Sequence, residues 1–140
     1  MEGKLQRLVT DMKLNEHVKF LGAIPNKELK DHYAWADIMM HTSLHEGQSG
    51  VVMEAMACGV VVCGTRVGII SDLGDEYFLT VAIGDYKALA SLVISLSNDK
   101  NNYNILQEKA YLWSHEYDSS WTVKKFDLLY RDIVDQDKGK

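Results

Sequence analysis

Leu5, Leu8, Val9 and Met12 recur every three or four residues, a spacing that predicts an amphipathic helix ending near residues 13–15. The stretch "HVKFLG" then has the composition of a brief strand stopped by Gly22. Next, "IPNKELKDHYAWA" is a loop leading into a helix, with Asn26 as N-cap after the lone proline, Pro25. "DIMMHTS" supplies an apolar run of strand length over residues 37–42. "VVVC", residues 60–63, is β-branched and bounded by Gly59 and Gly64, which predicts a buried strand.

"TRVGIISDLGDE" is expected to be a loop, "YFLTVA" a short strand, and "DYKALASLVISLS" a helix capped by Asp85. Two further helices close the chain. The first covers about residues 102–117, and the second carries Val123, Phe126, Tyr130, Ile133 and Val134 on one stripe before a frayed tail, "DQDKGK". Strands that alternate with helices and are apolar throughout imply a parallel sheet covered on both faces, a Rossmann-like doubly wound α/β domain. About four strands are expected where six is usual, so the chain is expected to be incomplete at its N-terminus.

The composition narrows the function classes. With 140 residues, 46% apolar and 25% charged, the chain can bury one core. A net charge of -5 and the lack of a Lys/Arg patch leave no electrostatic footprint for nucleic acid. No apolar run approaches the ~18 residues of a membrane span, and the first residues do not form a secretory signal, so a cytoplasmic protein is expected. Cys58 and Cys63 sit in apolar runs and fit reduced core thiols rather than a disulfide framework. No zinc-ligand spacing is present, and no metal is expected.

The chemistry concentrates in "HEGQSGVVMEAMACG", residues 45–59, where Glu46 and Glu54 have seven residues between them. Glu54 lies among Val51, Val52, Met53, Ala55 and Met56, where a buried carboxylate would need a partner. In open α/β sheets, ligands bind where strands end and helices begin. Gly47 and Gly50 lie in such a turn, and a helix starting near Ser49 would aim free N–H groups at an anion such as phosphate. Glu54 would lie ~7 Å further along the axis. A diphosphate over the helix N-terminus, a sugar hydroxyl at Glu46 and a ribose diol at Glu54 would use every polar group, since carboxylates only accept hydrogen bonds.

The order Ser43-Leu44-His45-Glu46-Gly47 followed by Glu54-Ala55-Met56-Ala57-Cys58-Gly59 resembles the Glu-x7-Glu signature of the family 4 retaining glycosyltransferases of the GT-B fold. "VKFLG", "ELKDHYAWADIMMHTS", Val67-Gly68, "IGDYKALASLV" and Trp121 extend the resemblance to roughly residues 5–134. It implies the C-terminal, donor-binding half of a GT-B enzyme occupying residues 1–140 in part, with the N-terminal acceptor domain outside the chain. It also implies that Glu46 contacts the donor sugar near the reacting centre and that Glu54 holds the ribose. Amides of Gly47, Gln48, Ser49 and Gly50 would receive sugar and diphosphate, and the loop from Gly22 to Pro25 would line the base.

The implied substrate is a nucleotide-sugar, with no separate cofactor. The implied acceptor is a glycan or glycolipid held by the N-terminal domain, with peripheral membrane association of the parent. Gln48 and Ser49 stand where the family has an aromatic-glycine pair, Val61 replaces a proline, and Ile69 and Asp72 replace a glycine and a glutamate. An Arg and a Lys that neutralise the leaving group in the family are expected upstream of Met1. Two rivals share the pocket: a GT-B-like sugar-nucleotide epimerase and a non-catalytic nucleotide-sugar-binding module. His41 and His45 are read as structural and Arg66 as a solvated loop residue. Trp35, Trp113 and Trp121 are read as packing anchors.

Overall fold

The computed structural model describes residues 2–137, the last two by backbone alone. Helix α1 (Glu2–Asp11) forms on the expected periodicity yet buries none of its residues, and Leu5, Leu8 and Met12 stay exposed. Helix α2 (Asn26–Trp35) begins with Asn26 as its first helical residue, Pro25 taking the cap position with its ring-set φ of -59° and no side-chain bond. Strand β1 (Ile38–His41), helix α3 (Gly50–Ala57) and strand β2 (Val61–Thr65) follow. Helix α4 (Gly68–Leu73) leads through a 3₁₀ turn (Gly74–Glu76) to strand β3 (Leu79–Val81). Helices α5 (Tyr86–Asn98), α6 (Lys100–Glu116) and α7 (Ser119–Asp137) complete the chain.

Among the described residues the sheet is parallel and three-stranded, in the order β1-β2-β3. His41 lies opposite Gly64, and Thr65 opposite Val81. β2, the central strand, is buried at all five positions, as an unbroken apolar run requires. Its alternate side chains feed two cores. Val60 and Val62 join Val52, Ala55 and Met56 of α3, Ile69 and Ile70 of α4, and Ala110 of α6. Val61 and Cys63 pack with Leu89 and Leu96 of α5 and Leu106 of α6. The expected α/β parallel sheet with two covered faces is therefore present.

Residues 18–21 of "HVKFLG" form no strand, because a strand persists only where a neighbour takes up its N–H and C=O groups and no ladder pairs this segment. "TRVGIISDLGDE" is not simply a loop: Ile69 and Ile70 bury against the first core and hold α4 in helical form, despite its length of six residues. α7 continues through Asp137, so its expected fraying is absent to that point, and residues 138–140 lie outside the described residues. Trp35, read as an anchor, is 85% exposed at the end of α2. Trp113 does pack against the first core and meets Tyr77 edge-on, while Trp121 stacks edge-on against Tyr117 and lies under Lys125.

Caps decide the helix starts of the C-terminal half. The Asp85 carboxylate accepts from the Ala88 amide at 2.9 Å, as expected. Asp99 does the same for the Asn102 amide at 3.0 Å, which places the start of α6 at Lys100.

The two cysteines differ, contrary to the shared core reading. At 100° per residue, Val52, Ala55 and Met56 occupy one side of α3, and Cys58 falls on the other. It is exposed, whereas Cys63 in β2 is buried. Burial pushes the Cys63 thiol up to about 11. Cys58 should therefore label with a thiol reagent at least tenfold faster than Cys63 in the folded chain, and Cys63 only on unfolding, as peptide mapping after timed alkylation will show. Equal rates would remove Cys63 from the core. The raised thiol also fixes a sign: its stabilising contribution is complete below the unfolded value near 9.0 and is lost as pH rises through about 11.

Candidate functional site

The site lies at the carboxyl end of β1, where the chain turns through residues 42–49 into α3. Thr65, at the end of neighbouring β2, donates its hydroxyl to the Ser43 carbonyl at 2.6 Å and so ties the start of this turn to the sheet. The floor of the turn comes from α4. A Cβ added at Gly68, whose φ is +51°, would penetrate the Gly47 carbonyl oxygen and come within 3.0 Å of the Glu46 Cβ. Only glycine allows this approach in that left-handed conformation. Gly68 is a site residue that motif reading noted only as part of the resemblance.

Glu46 is held from inside. The Ser43 hydroxyl donates to Glu46 Oε1 at 2.7 Å, and His41 Nε2 stands 3.3 Å from the same oxygen. Glu46 Oε2 has no bond to a described residue. The Glu46 side chain is 28% exposed, and with Gly47 and Gln48 it lines an open groove shared with Arg66, Gly68 and Asp72. Arg66, read as a solvated loop residue, is 58% exposed and also ties the loop down: Nε donates to Thr80 Oγ1 at 2.6 Å and Nη2 pairs with Asp75 at 3.1 Å.

Ser49 is the N-cap residue of α3 in position, but its hydroxyl makes no cap bond. It is buried and faces His41 Nε2 at 3.2 Å. The first-turn amides of α3, beginning with Gly50, thus have no side-chain cap, which leaves the helix terminus open to an anion.

Glu54 is exposed, not buried as its apolar neighbours in sequence suggested, because Val52, Ala55 and Met56 take the core side of α3 and Glu54 the opposite side. It still has a partner. The Tyr33 hydroxyl of α2 donates to Glu54 Oε2 at 3.0 Å. Burial, and then this bond to the carboxylate, push the Tyr33 hydroxyl up to about 12, so it remains a donor. Nothing in the motif pointed to Tyr33, since its contact spans 21 positions. Gly22, with φ of +65°, stands in open space ahead of α2, apart from the Glu46 groove. The structure thus gathers Glu46, Gly47, Gln48, Ser49 and Gly50 at one turn, sets Glu54 about one turn along the same helix, and leaves Gly22 on a separate segment.

Among the described residues no helix is long and apolar enough to cross a membrane. The family described as "Glycosyl transferases group 1" matches residues 1–113. The N-acetyl-alpha-D-glucosaminyl L-malate synthase of Bacillus anthracis is 32% identical over 137 residues, covering 95% of this chain and 35% of that protein. The chain therefore spans about a third of that relative's length. Among solved structures, sucrose-phosphate synthase from Thermosynechococcus elongatus superposes with a TM-score of 0.82 at 25% identity, over 95% of this chain and 34% of the other. HepE of Anabaena, solved in complex with UDP, shares the fold with a TM-score of 0.82 at 22% identity, over 93% of this chain and 36% of the other.

Proposed function

This chain belongs to the glycosyl transferases group 1 family, and from that premise we propose that it is the nucleotide-sugar-binding, C-terminal part of a retaining GT-B transferase of family 4. The observation that carries this reading is the open N-terminus of α3, set directly after a parallel strand and flanked by Glu46 before it and Glu54 within it, each with one oxygen already held by the protein. A diphosphate takes the amides of the first turn, where the helix dipole favours negative charge. The sugar lies toward Glu46 and the Gly47–Gln48 turn, and the ribose toward Glu54.

In the reaction, the bond between the anomeric carbon and the diphosphate oxygen breaks, and the electron pair leaves with the nucleoside diphosphate. An acceptor hydroxyl forms the new glycosidic bond and gives up its proton to an oxygen of the departing diphosphate. The α3 amides aim fixed partial charges at the phosphate oxygens where negative charge grows, which lowers the barrier without reorganisation. Glu46 Oε2 accepts from a sugar hydroxyl and fixes the ring for departure. No enzyme nucleophile is assigned and no metal is invoked. The acceptor, a glycan or glycolipid, is held by a part of the protein outside these 140 residues, in the cytoplasm or at a membrane surface.

Calorimetry of the chain with UDP and UDP-glucose tests the reading. Both should bind, and Glu46→Gln should leave UDP affinity within about twofold while weakening UDP-glucose, because only the second ligand carries the group that Glu46 meets. The same substitution in a longer chain that turns over should lower kcat. Absence of binding by either probe at millimolar concentration overturns the donor-site reading; equal losses for both probes overturn the role of Glu46.

A further inference from the structure

His41 ends β1 with its side chain 7% exposed, opposite Gly64 in the parallel register. The backbone here is tight: a Cβ at Gly64 would come within 2.5 Å of the His41 carbonyl oxygen and 3.2 Å of its Cβ. Only glycine fits opposite this residue. Its Nδ1 is buried and has no hydrogen-bond partner. Its Nε2 faces three oxygens: Ser49 Oγ at 3.2 Å, Glu46 Oε1 at 3.3 Å and Ser43 Oγ at 3.4 Å.

The surroundings of the two nitrogens place the ring proton on Nε2. A bare Nε2 would turn its lone pair on a carboxylate oxygen, and the proton would then sit on Nδ1 as a buried donor with nothing to receive it. With the proton on Nε2, a donor meets an anionic acceptor, and the ring itself leaves only a lone pair unpaired. Orphaned buried N–H groups are the rarer defect.

Resting on the donor-site reading above, we infer that His41 is a positioning residue whose Nε2–H orders both ends of the donor pocket, holding Glu46 through Oε1 and drawing the Ser49 hydroxyl away from the α3 terminus. The first contact leaves Oε2 as the face of Glu46 offered to the sugar. The second keeps the α3 amides free of a side-chain cap for the diphosphate. Ser49 stands where the family resemblance expects glycine, so this chain has a hydroxyl that would otherwise compete for those amides.

Three substitutions separate positioning from packing. His41→Leu fills similar space without a donor. His41→Gln places an amide nitrogen the same number of bonds from Cα as Nε2, and His41→Asn reaches only as far as Nδ1. In calorimetry with UDP-glucose, the Leu and Asn variants should bind about tenfold or more weakly and the Gln variant within about threefold of the unaltered chain, with smaller losses for UDP. Ring nitrogen shifts of the unaltered chain, read by ¹⁵N NMR, should show Nε2 protonated and Nδ1 bare. If the unaltered chain binds neither probe, the donor-site reading itself fails. If it binds and the Leu variant matches it, or the Gln variant is as weak as Leu, His41 does no positioning. A proton on Nδ1 overturns the inference even if no variant folds.

Discussion

Glu54→Gln should weaken UDP binding by ~1.5–3 kcal/mol, the usual worth of hydrogen bonds to a charged group, which is roughly 10- to 150-fold in affinity. The loss should be the same for UDP-glucose, since the ribose proposed to meet Glu54 is common to both. The fold should not suffer. Glu54 is exposed, and the glutamine carbonyl can still accept from the Tyr33 hydroxyl, which stays protonated at neutral pH without the carboxylate. Tyr33→Phe offers a graded control: it removes the bond that orients the carboxylate but leaves its charge, so a loss of about three- to tenfold is expected. Calorimetry on the three chains reads both effects. Normal UDP binding by Glu54→Gln would detach the ribose from this helix face, and a loss confined to UDP-glucose would reverse the roles of the two acids.

Gly68→Ala should be the most damaging small substitution at the site. A non-glycine residue at φ +51° costs ~1–2 kcal/mol in itself. The added Cβ would also drive into the Gly47 carbonyl and crowd Glu46, which backbone atoms can relieve only by moving the turn. A destabilisation of ~2–4 kcal/mol is expected, a fall in Tm of the order of 10 °C, with UDP-glucose binding lost at temperatures where the chain remains folded. Gly47→Ala supplies the contrast, because a Cβ there meets nothing within 4 Å. Its melting curve should match that of the unaltered chain. Melting of Gly68→Ala at the normal temperature would mean that α4 and the Glu46 turn do not lean on each other.

β2 was legible because its apolar run is buried on both faces and needs no distant information to be recognised. α4 was not, since six residues containing Ser71 and Asp72 carry too little periodicity, and only burial of Ile69 and Ile70 secures the helix. The strand expected at residues 18–21 shows the opposite failure: residues with strand composition have no ladder, since pairing is a property of two segments. Glu54 and Cys58 were placed by their sequence neighbours and came out exposed, because helical rotation, not adjacency, decides which side chains share a face.

Taken by itself, the sequence determined the alternation of strands and helices, the parallel α/β class, the Asp85 cap, and the turn between β1 and α3 with a carboxylate at Glu46 and another at Glu54. These follow from short-range periodicity and the special roles of a few residue types, which act over a handful of neighbours. Tertiary structure alone decided which oxygen of each acid is held. Tyr33 reaches Glu54 across 21 positions, and Thr65 reaches the Ser43 carbonyl across 22. Gly68 admits the Gly47 carbonyl, and His41 gathers Ser43, Glu46 and Ser49 around one nitrogen. Such contacts exist only after β1, β2 and the helices have packed, when side chains distant in sequence have lost their conformational freedom together and a donor can be held against one chosen acceptor.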